Sequence, residues 1–281
     1  FKQKTAYEIR LSLVGSEMCI RDRDLHDVLG APFNVANLAY GAFTPYLNVD
    51  AGIYDLAVRA TGAPAPAVIY RADLTSLGGR AATVFASGLV GDAPGFGLFA
   101  ALPDGTVIEF PVMPTARVQI VHNSPDPILD VYAGAVPLIE NFAFRTATAY
   151  LDLPADRTFR LGVAPDTSGS VADTLVGFEV NFASGKTYSV FVNGILGSLT
   201  TPLTLALNDA ALESGAPGFV QVSVFHGSPG APNVDIEERQ AGPLFQNVGY
   251  GEYTPYLNIP TGQYFLDVKV AGDPNIAATY F

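Results

Sequence analysis

One short pattern occurs three times along this 281-residue chain, and it constrains the fold more than any other feature. Three hexamers begin with Thr and carry Tyr at their third position: Thr44–Val49, Thr148–Leu153 and Thr254–Ile259. They lie 104 and 106 residues apart. Self-similarity at a fixed period indicates repeated structural units. The spacing therefore predicts three copies of one unit of about 105 residues.

A turn and an alternating strand follow each hexamer. The turn position, eight residues after each Thr, holds Gly52, Asp156 or Gly262, which are residue types that visit positive φ. The apolar residues that come next are Tyr54/Leu56/Val58, Phe159/Leu161/Val163 and Tyr264/Leu266/Val268. A period of two predicts a strand with one buried face. The three sets are in register, 105 residues apart.

The second copy is complete, and its pattern predicts short strands without helices. We place them near 116–122, 128–133, 137–144, 147–154, 157–164, 174–182, 187–194 and 202–208. Such a density of short strands is typical of a β-sandwich. We therefore predict an all-β chain of tandem β-sandwich modules, either immunoglobulin-like or transthyretin-like.

The alignment of the copies predicts the domain boundaries. The repeats span 24–112, 113–216 and 217–281. We match Asp27 to Asp130, so the first repeat is predicted to lack its first strand. The third repeat is predicted to lack the last strands, the equivalents of 187–208. The linkers 111–114 and 214–218 are short and contain Pro, which predicts an array with limited bending.

Residues 1–23 differ from the rest of the chain. They carry five basic and three acidic residues, whereas residues 24–281 carry 10 basic and 24 acidic residues. The string from Gln3 to Asp22 resembles translated sequencing-adaptor read-through, so we predict a non-native artefact segment that packs poorly on the rest. The alternative, a targeting peptide, fits less well because an apolar core of about 7–15 residues is missing.

The composition excludes several classes of protein. Apolar residues make up 49% of the chain, which is enough for a packed core. The net charge of −12 argues against a nucleic-acid partner. No apolar run approaches 18 residues, so no membrane span is predicted. The single cysteine, Cys19, excludes an internal disulfide framework.

Several stretches resemble one known family. Residues 116–126 with Asp130-Val131-Tyr132 resemble the opening motif of the domain-of-unknown-function 4397 family, and residues 150–155 and 185–191 also resemble it. The resemblance covers residues 24–281. It implies secreted or cell-surface bacterial or archaeal proteins with tandem β-rich modules, and it implies no catalytic role. The chain departs from the family pattern at Pro127-Ile128 and at Gly230, which stands where the second repeat has Asp126.

The motif at residues 122–132 recurs at 226–236, and it holds a His, a Ser and carboxylates. His122, Ser124 and Asp130 are the residue types of a catalytic triad, so a hydrolase using His122 and Ser124 is one alternative. We favour a structural corner, because a neutral imidazole on the inward face can hydrogen-bond the turn backbone. The predicted corner motif consists of His122, Ser124, Pro125, Asp130, His226, Ser228, Pro229 and Asp235.

Other candidate sites are weaker. Calcium needs six to eight oxygens, and neither Asp126 with Asp130 nor Asp235 with Glu237 and Glu238 provides that density. The three His residues fall in separate copies, so no transition-metal site and no cofactor is predicted. The repeated tyrosines Tyr46, Tyr150 and Tyr256 could stack on sugar rings or pack across strands. The Gly-rich stretch 91–97 lacks the ending of a phosphate-binding loop.

These observations predict a non-catalytic module that lies outside the cell or in the cell envelope. It would act as a structural spacer or adhesive stalk, with neighbouring repeats and cell-surface polymers or carbohydrate as partners. The alternative is a carbohydrate- or calcium-binding module accessory to an enzyme on the parent chain.

Overall fold

A computed structural model of the chain describes residues 7–13, 23–30, 34–61, 68–89, 93–125 and 127–281, with backbone alone for 7–13 and 23. Strands dominate these ranges, and the only helical turn in them is a 3-10 turn at Val171–Asp173. The strands form six sheets, two in each of three successive units. We call these the first unit (7–112), the second unit (113–216) and the third unit (217–281). The prediction of an all-β, sandwich-like chain of several modules is confirmed.

The first unit contains nine strands. They are β1 (Tyr7–Leu13), β2 (Arg23–Asp27), β3 (Asn34–Leu38), β4 (Leu47–Val49), β5 (Ile53–Ala60), β6 (Val68–Asp73), β7 (Ala81–Ser87), β8 (Gly97–Ala101) and β9 (Val107–Phe110). One sheet has the order β4-β1-β7-β8-β9 and the other the order β3-β2-β5-β6. Side chains of both sheets meet in one core that includes Leu56, Leu74 and Val84.

The second unit contains eight strands, close to the eight predicted. They are β10 (Thr115–Asn123), β11 (Leu129–Ala133), β12 (Val136–Phe142), β13 (Leu151–Pro154), β14 (Thr158–Pro165), β15 (Val176–Asn181), β16 (Thr187–Asn193) and β17 (Thr204–Asn208). The sheets have the orders β13-β10-β16-β17 and β12-β11-β14-β15. Alternate residues of β10, namely Val118, Ile120 and His122, are buried between them.

The third unit contains six strands. They are β18 (Phe219–Val222), β19 (Val234–Glu238), β20 (Gly242–Val248), β21 (Leu257–Pro260), β22 (Leu266–Val270) and β23 (Ile276–Tyr280). The sheets are β18-β21 and β20-β19-β22-β23. Only three buried apolar residues form its core among those described: Ile236, Phe245 and Val248. The first of its sheets has two strands where the second unit has four, so its inner face is poorly covered.

The three units share one pairing scheme as far as each extends. In the second unit, β10 pairs with β13 antiparallel and with β16 parallel. In the first unit, β1 pairs with β4 antiparallel and with β7 parallel. In the third unit, β18 pairs with β21 antiparallel. Strand β1 thus occupies the position of β10.

The position of β1 differs from our expectation for the first unit. The unit was predicted to lack its first strand, yet the backbone of Tyr7–Leu13 lies between β4 and β7. The alternating sequence of this stretch is compatible with a strand, and the slot between β4 and β7 offers it hydrogen-bonding edges on both sides. The prediction of poor packing concerns Ile9, Leu11 and Leu13, whose side chains lie outside the described part of the structure.

One alignment at the start of the first unit is wrong by three residues. We matched Asp27 to Asp130, but the pairing registers match Asp24 instead. Strand β2 places Leu25 opposite Val58, as β11 places Val131 opposite Val163. Asp24 therefore corresponds to Asp130, and Asp27 lies three residues further along the same strand. The error arose because both residues precede an apolar side chain.

We expect residues 113–216 to fold alone with one cooperative unfolding transition. Among the described residues, Leu29 is the only buried member of the second unit's core cluster that comes from outside it. Chemical denaturation followed by circular dichroism and fluorescence measures this. Residues 217–281 alone serve as the comparison and should not fold, because their core is small. A gradual, non-cooperative transition of residues 113–216 would contradict the prediction.

Candidate functional site

The motif at residues 122–130 forms the crossover between the two sheets of the second unit, since β10 and β11 belong to different sheets. His122 is 0% exposed at the end of β10. The backbone N–H of Ser124 donates to His122 Nδ1 at 3.2 Å, and His122 Nε2 lies 3.2 Å from the carbonyl oxygen of Pro127. Because Nδ1 accepts a hydrogen bond, the proton of the neutral ring is on Nε2, which donates to Pro127.

The third unit repeats this geometry at His226. The backbone N–H of Ser228 donates to His226 Nδ1 at 3.4 Å, and Nε2 donates to the carbonyl oxygen of Pro232 at 3.0 Å. The loop is one residue longer than in the second unit, yet the imidazole makes the same two hydrogen bonds across it. Two histidines of the predicted motif therefore hold two equivalent corners. The first unit's His26 lies in a strand and does not correspond to them.

Burial lowers the pKa of His122, and the hydrogen bond to Pro127 opposes this shift only in part. The ring lies against Phe142 and Phe144, with centroid distances of 5.4 and 6.3 Å. Protonation would place a second N–H on Nδ1, facing the N–H of Ser124. The corner is therefore stable with the neutral ring.

The structure does not assemble a catalytic triad at this corner. Both ring nitrogens of His122 are bonded to backbone atoms. The carboxylate of Asp130 accepts hydrogen bonds from the N–H of Asn141 at 2.8 Å and from Ser168 Oγ at 2.6 Å. A triad requires the carboxylate to orient the imidazole, and that contact is not made. Ser124 is buried.

The motif aspartate has the same partner in all three units. The carboxylates accept the backbone N–H of an asparagine at 2.7–3.0 Å, in the pairs Asp24–Asn37, Asp130–Asn141 and Asp235–Asn247. Each asparagine has φ of 54–55°, in the left-handed region that Asn tolerates. The contact anchors an irregularity in the pairing of the neighbouring strands. Our sequence reasoning missed the asparagines and Asp24, although the Asp-to-Asn spacing of 11–13 residues was visible.

The carboxylates considered for calcium are bonded to the chain's own groups. Glu238 accepts two backbone N–H groups, Glu237 pairs with Lys269, and Asp235 accepts the N–H of Gly272 in addition to that of Asn247. In the described ranges, no three His, Cys, Asp or Glu side chains are grouped so that they could hold a metal ion. Asp126 lies outside the described residues.

The repeated tyrosines do not share one role. Tyr150 OH donates to the carbonyl oxygen of Leu212 at 3.4 Å, and the N–H of Leu212 donates to Tyr256 OH at 3.2 Å. These two rings thus hold one residue of the linker between the second and third units. Tyr46 is half-exposed on the first unit.

The joint between the first and second units contains a buried carboxylate. Asp55 is 0% exposed and accepts hydrogen bonds from Arg71 of its own unit and Arg157 of the second unit, each at 2.8 Å. Arg71 also donates to the carbonyl oxygen of Ala155 across the joint. Leu29 adds an apolar contact, because it packs into the core of the second unit.

The joint between the second and third units contains three aromatic rings. The centroids of Phe191, Phe225 and Tyr253 are 4.5–5.8 Å apart. Tyr253 OH donates to the carbonyl oxygen of Ala206 at 2.9 Å, across the joint. Burial raises the pKa of Tyr253, so its hydroxyl stays protonated and remains a donor.

Amide groups close the same joint beside the rings. Asn123 Nδ2 donates to Asn193 Oδ1 and to the carbonyl oxygen of Gly227, both at 2.8 Å. Asn193 in turn donates to Tyr250 OH at 3.0 Å. Gly227 admits no side chain, because a Cβ there would lie 2.1 Å from Asn123 Nδ2 and 2.6 Å from the Phe225 ring.

A pocket of about 520 Å³ opens between the corners of the second and third units. From the second unit it is lined by Asn123, Pro125, Phe144, Arg145 and Phe191, and from the third by Phe225, His226, Gly227, Ser228 and Pro229. Four residues of the predicted motif thus meet in one place: Pro125, His226, Ser228 and Pro229. Arg145 supplies a permanent positive charge in this lining, and the His226 ring accepts a hydrogen bond at Nδ1.

Arg145 has an unusual backbone conformation. Its φ is 64°, whereas the equivalent turns of the other units hold glycines, Gly41 and Gly251, with φ of 74° and 83°. Matching hydrogen bonds support the equivalence. The backbone N–H of Arg145 donates to the carbonyl oxygen of His122, and the backbone N–H of Gly251 donates to the carbonyl oxygen of His226. A residue other than glycine at this φ costs about 1 kcal/mol. The guanidinium lies 4.8 Å from the centroid of the Phe144 ring.

Comparisons with known proteins identify a family and little else. The family model described as "Domain of unknown function (DUF4397)" matches residues 116–237 and 220–281. No curated protein matches the chain. Among solved structures, the Bacillus anthracis TIE protein is similar at 11% identity and a TM-score of 0.19, over 95% of this chain and 46% of that one. This chain thus spans about half the length of that protein, and a likeness at this TM-score supports no functional argument.

We expect the unfolding free energy of the chain to fall as the pH drops below about 6.5, in part through His122. An exposed histidine titrates near that pH, and burial lowers the pKa of His122 in the folded state. The unfolded chain therefore binds the proton first, which favours unfolding. His122→Ala should lower the free energy of unfolding by about 3 kcal/mol at pH 7.5. It should also make the free energy of unfolding depend less on pH. Urea titrations at pH 7.5, 6.5 and 5.5 measure both effects, with Ser184→Ala, an exposed position, as control. An unchanged pH dependence in His122→Ala would refute this role.

We expect Gly227→Ala to separate the second and third units without unfolding the second. The added Cβ would collide with Asn123 and Phe225 at the joint. Cross-joint NMR contacts between the rings of Phe191 and Tyr253 report the separation. Gly169→Ala is the matched control, because its φ lies outside the left-handed region and the nearest atom to a Cβ there, Asp173 Oδ2, is 3.9 Å away. Retained Phe191–Tyr253 contacts in Gly227→Ala would show that the joint does not depend on this close approach.

Proposed function

We propose that this chain, which belongs to the family of the domain of unknown function DUF4397, is a non-catalytic repeat protein that acts as a stiff spacer or adhesive stalk. The observation that carries the proposal is that side chains of neighbouring units pack and hydrogen-bond across both joints. A spacer transmits force and holds distance only when its units cannot swivel on their linkers.

The first joint is stiffened by charge and by strand pairing. The Asp55–Arg157 contact crosses the joint in a buried setting, where loss of one of the two arginines that compensate the carboxylate is costly. The linker itself pairs with β6, since the N–H of Met113 donates to Ile69 O and the N–H of Arg71 donates to Pro111 O. Residues 111–113 therefore continue the sheet of the first unit.

The segment that leads into the linker of the second joint, residues 209–213, is held by several side-chain contacts. Lys186 pairs with Asp209 at 2.8 Å, Ala211 is buried, and Arg117 pairs with Glu213. The two tyrosines that hold Leu212 come from the units on either side of the linker. These contacts are individually weak where they are exposed, but together they leave little freedom to residues 209–213.

We infer that the three units are copies of one repeat. This is supported by the shared strand pairing, the Asp–Asn contact in all three units and the His corner in two of them. Repeats that contact only their neighbours form extended arrays whose length depends on repeat number. Such an array suits a stalk.

We place the protein outside the cell or in the cell envelope. The support is compositional: the chain is acidic, has no cysteine after Cys19, and has only Lys186 and Lys269 as lysines after residue 23. Protease treatment of intact source cells, followed by immunodetection, tests this location. Full protection of the protein until the cells are lysed would contradict it.

We propose that residues 1–23 are translated adaptor read-through and that β1 fills a slot made for a native strand. Independent amplification of the gene upstream of the codon for Asp24 tests this. We expect a different strand-forming sequence there, followed by a His-x-Ser-Pro corner like those at His122 and His226. Recovery of the present sequence would remove the proposal.

Hydrolysis by His122 and Ser124 is not favoured, because the imidazole is bonded to backbone at both nitrogens. Calcium binding is not favoured either, because the carboxylates considered for it are bonded within the chain. A binding role remains for the pocket at the second joint, and it is independent of the stiffness of the array.

We expect Arg157→Gln to loosen the first joint. It removes the charged contact of Asp55 across the joint while leaving the Asp55–Arg71 pair intact, and it should lower the free energy of unfolding by about 2 kcal/mol. Spin labels at Val107→Cys and Leu199→Cys, both exposed, in a Cys19→Ser background, report the distance between the two units. The distance distribution should be narrow in the parent and broad in the variant.

Asp209→Asn is the control for this measurement, because it removes an exposed ion pair within the second unit that does not cross the first joint. It should leave the distribution unchanged. A broad distribution in the parent protein would contradict the stiff-spacer proposal outright.

A further inference from the structure

The pocket between the second and third units has the chemistry of a small-ligand site. We propose that it binds an acidic sugar, a uronic-acid unit of a polysaccharide, with the sugar carboxylate paired to Arg145 and the ring against Phe144, Phe191 and Phe225. This goes beyond the spacer role, because a stalk with such a site at a joint would also attach to an anionic polysaccharide.

The size of the pocket fits the proposal. Its volume of about 520 Å³ lies within the range of small-molecule sites, roughly 300–1,000 Å³. Two unit ends form its walls, so it is a cleft between domains, where binding sites are common. The walls are held in place by the Asn123–Gly227 and Asn193–Tyr250 hydrogen bonds.

The charge of the pocket selects an anion. The chain as a whole has a net charge of −12, yet the charged side chain in this lining is a guanidinium. Among the described residues, no carboxylate lies within ion-pair distance of Arg145, whereas Arg71, Arg117, Arg157 and Arg239 each have one. A guanidinium presents a fork of donors that matches a carboxylate.

The backbone of Arg145 gives a second, independent indication. The chain places an arginine at positive φ where two equivalent turns hold glycine. Backbone strain of this kind clusters at functional sites, where the side chain makes a contact that glycine cannot make. The arginine is also the residue that carries the charge of the pocket, so the strain and the charge coincide.

The rest of the lining favours a sugar over other carboxylates. Phe144, Phe191 and Phe225 are each partly exposed, and their ring faces carry the negative side of the aromatic quadrupole, which attracts the C–H groups of a sugar ring. Asn123 uses its Nδ2 in the joint, which leaves Oδ1 as an acceptor, and the exposed Ser228 adds a hydroxyl. Sugar hydroxyls are the donors that these acceptors fit.

Isothermal titration of the whole chain with tri-galacturonic acid at low salt tests the proposal. The matched ligand is the methyl ester of the same trisaccharide, which keeps the rings and loses the charge. We expect saturable binding of the acid and at least about ten-fold weaker binding of the ester. Equal binding of both, or no binding of the acid, would overturn the proposal.

Three variants locate the site. Arg145→Gly copies the other two turns, should melt at the same temperature or higher, and should lose at least about ten-fold in affinity. Arg145→Lys should retain part of the affinity, and it reports on the site even if the glycine variant fails to fold. Arg80→Gln, an exposed arginine of the first unit, is the control and should bind as the parent does. Unchanged affinity in both Arg145 variants would exclude this pocket.

Two further probes decide the class of ligand. A tri-glutamate peptide offers the carboxylates without the sugar ring, and inorganic phosphate offers the charge alone. Both should bind more weakly than tri-galacturonic acid at the same ionic strength. Tighter binding of the peptide would assign the pocket to an acidic protein partner, and tighter binding of phosphate would assign it to a phosphorylated ligand, so either result would overturn the sugar assignment.

Discussion

The hydrogen bonds of a buried neutral histidine hold the point where the chain leaves one sheet of a unit and enters the other. In the second unit His122 bonds the backbone on both sides of the turn, and in the third unit His226 does the same across a longer loop. These hydrogen bonds define the path of the crossover between the two sheets in both units. The residues next to it, Asn123 and Gly227, then have fixed positions too, and they meet at the second joint.

The joints use different interactions for the same purpose. The first joint relies on the buried Asp55 carboxylate and its two arginines, one from each unit, and loss of either arginine is expensive in this buried setting. The second joint relies on aromatic packing and amide hydrogen bonds around Phe191 and Tyr253. The second arrangement leaves a cleft open beside the rings.

The strands of the second unit were predictable because apolar and polar side chains alternate along them. A strand with one buried face requires this period of two. The corner histidines were also predictable, since they follow the buried positions Val118 and Ile120. The match of Asp24 to Asp130 was not, because a shift of three residues leaves the local pattern plausible and only the strand register, Leu25 opposite Val58, fixes it. The backbone of Tyr7–Leu13 pairs with β4 and β7, which the composition of residues 1–23 does not indicate.

The sequence by itself determined the all-β class and the position of the two His corners, since both depend on residues close together along the chain. Only the tertiary structure decided what lies between the units. Asp55 and Arg157 are 102 residues apart, and Asn123 and Gly227 are 104 apart, so no local pattern links them. The strain at Arg145 and the cleft it faces also emerged only from folding, because backbone conformation and concave surfaces depend on how distant segments pack.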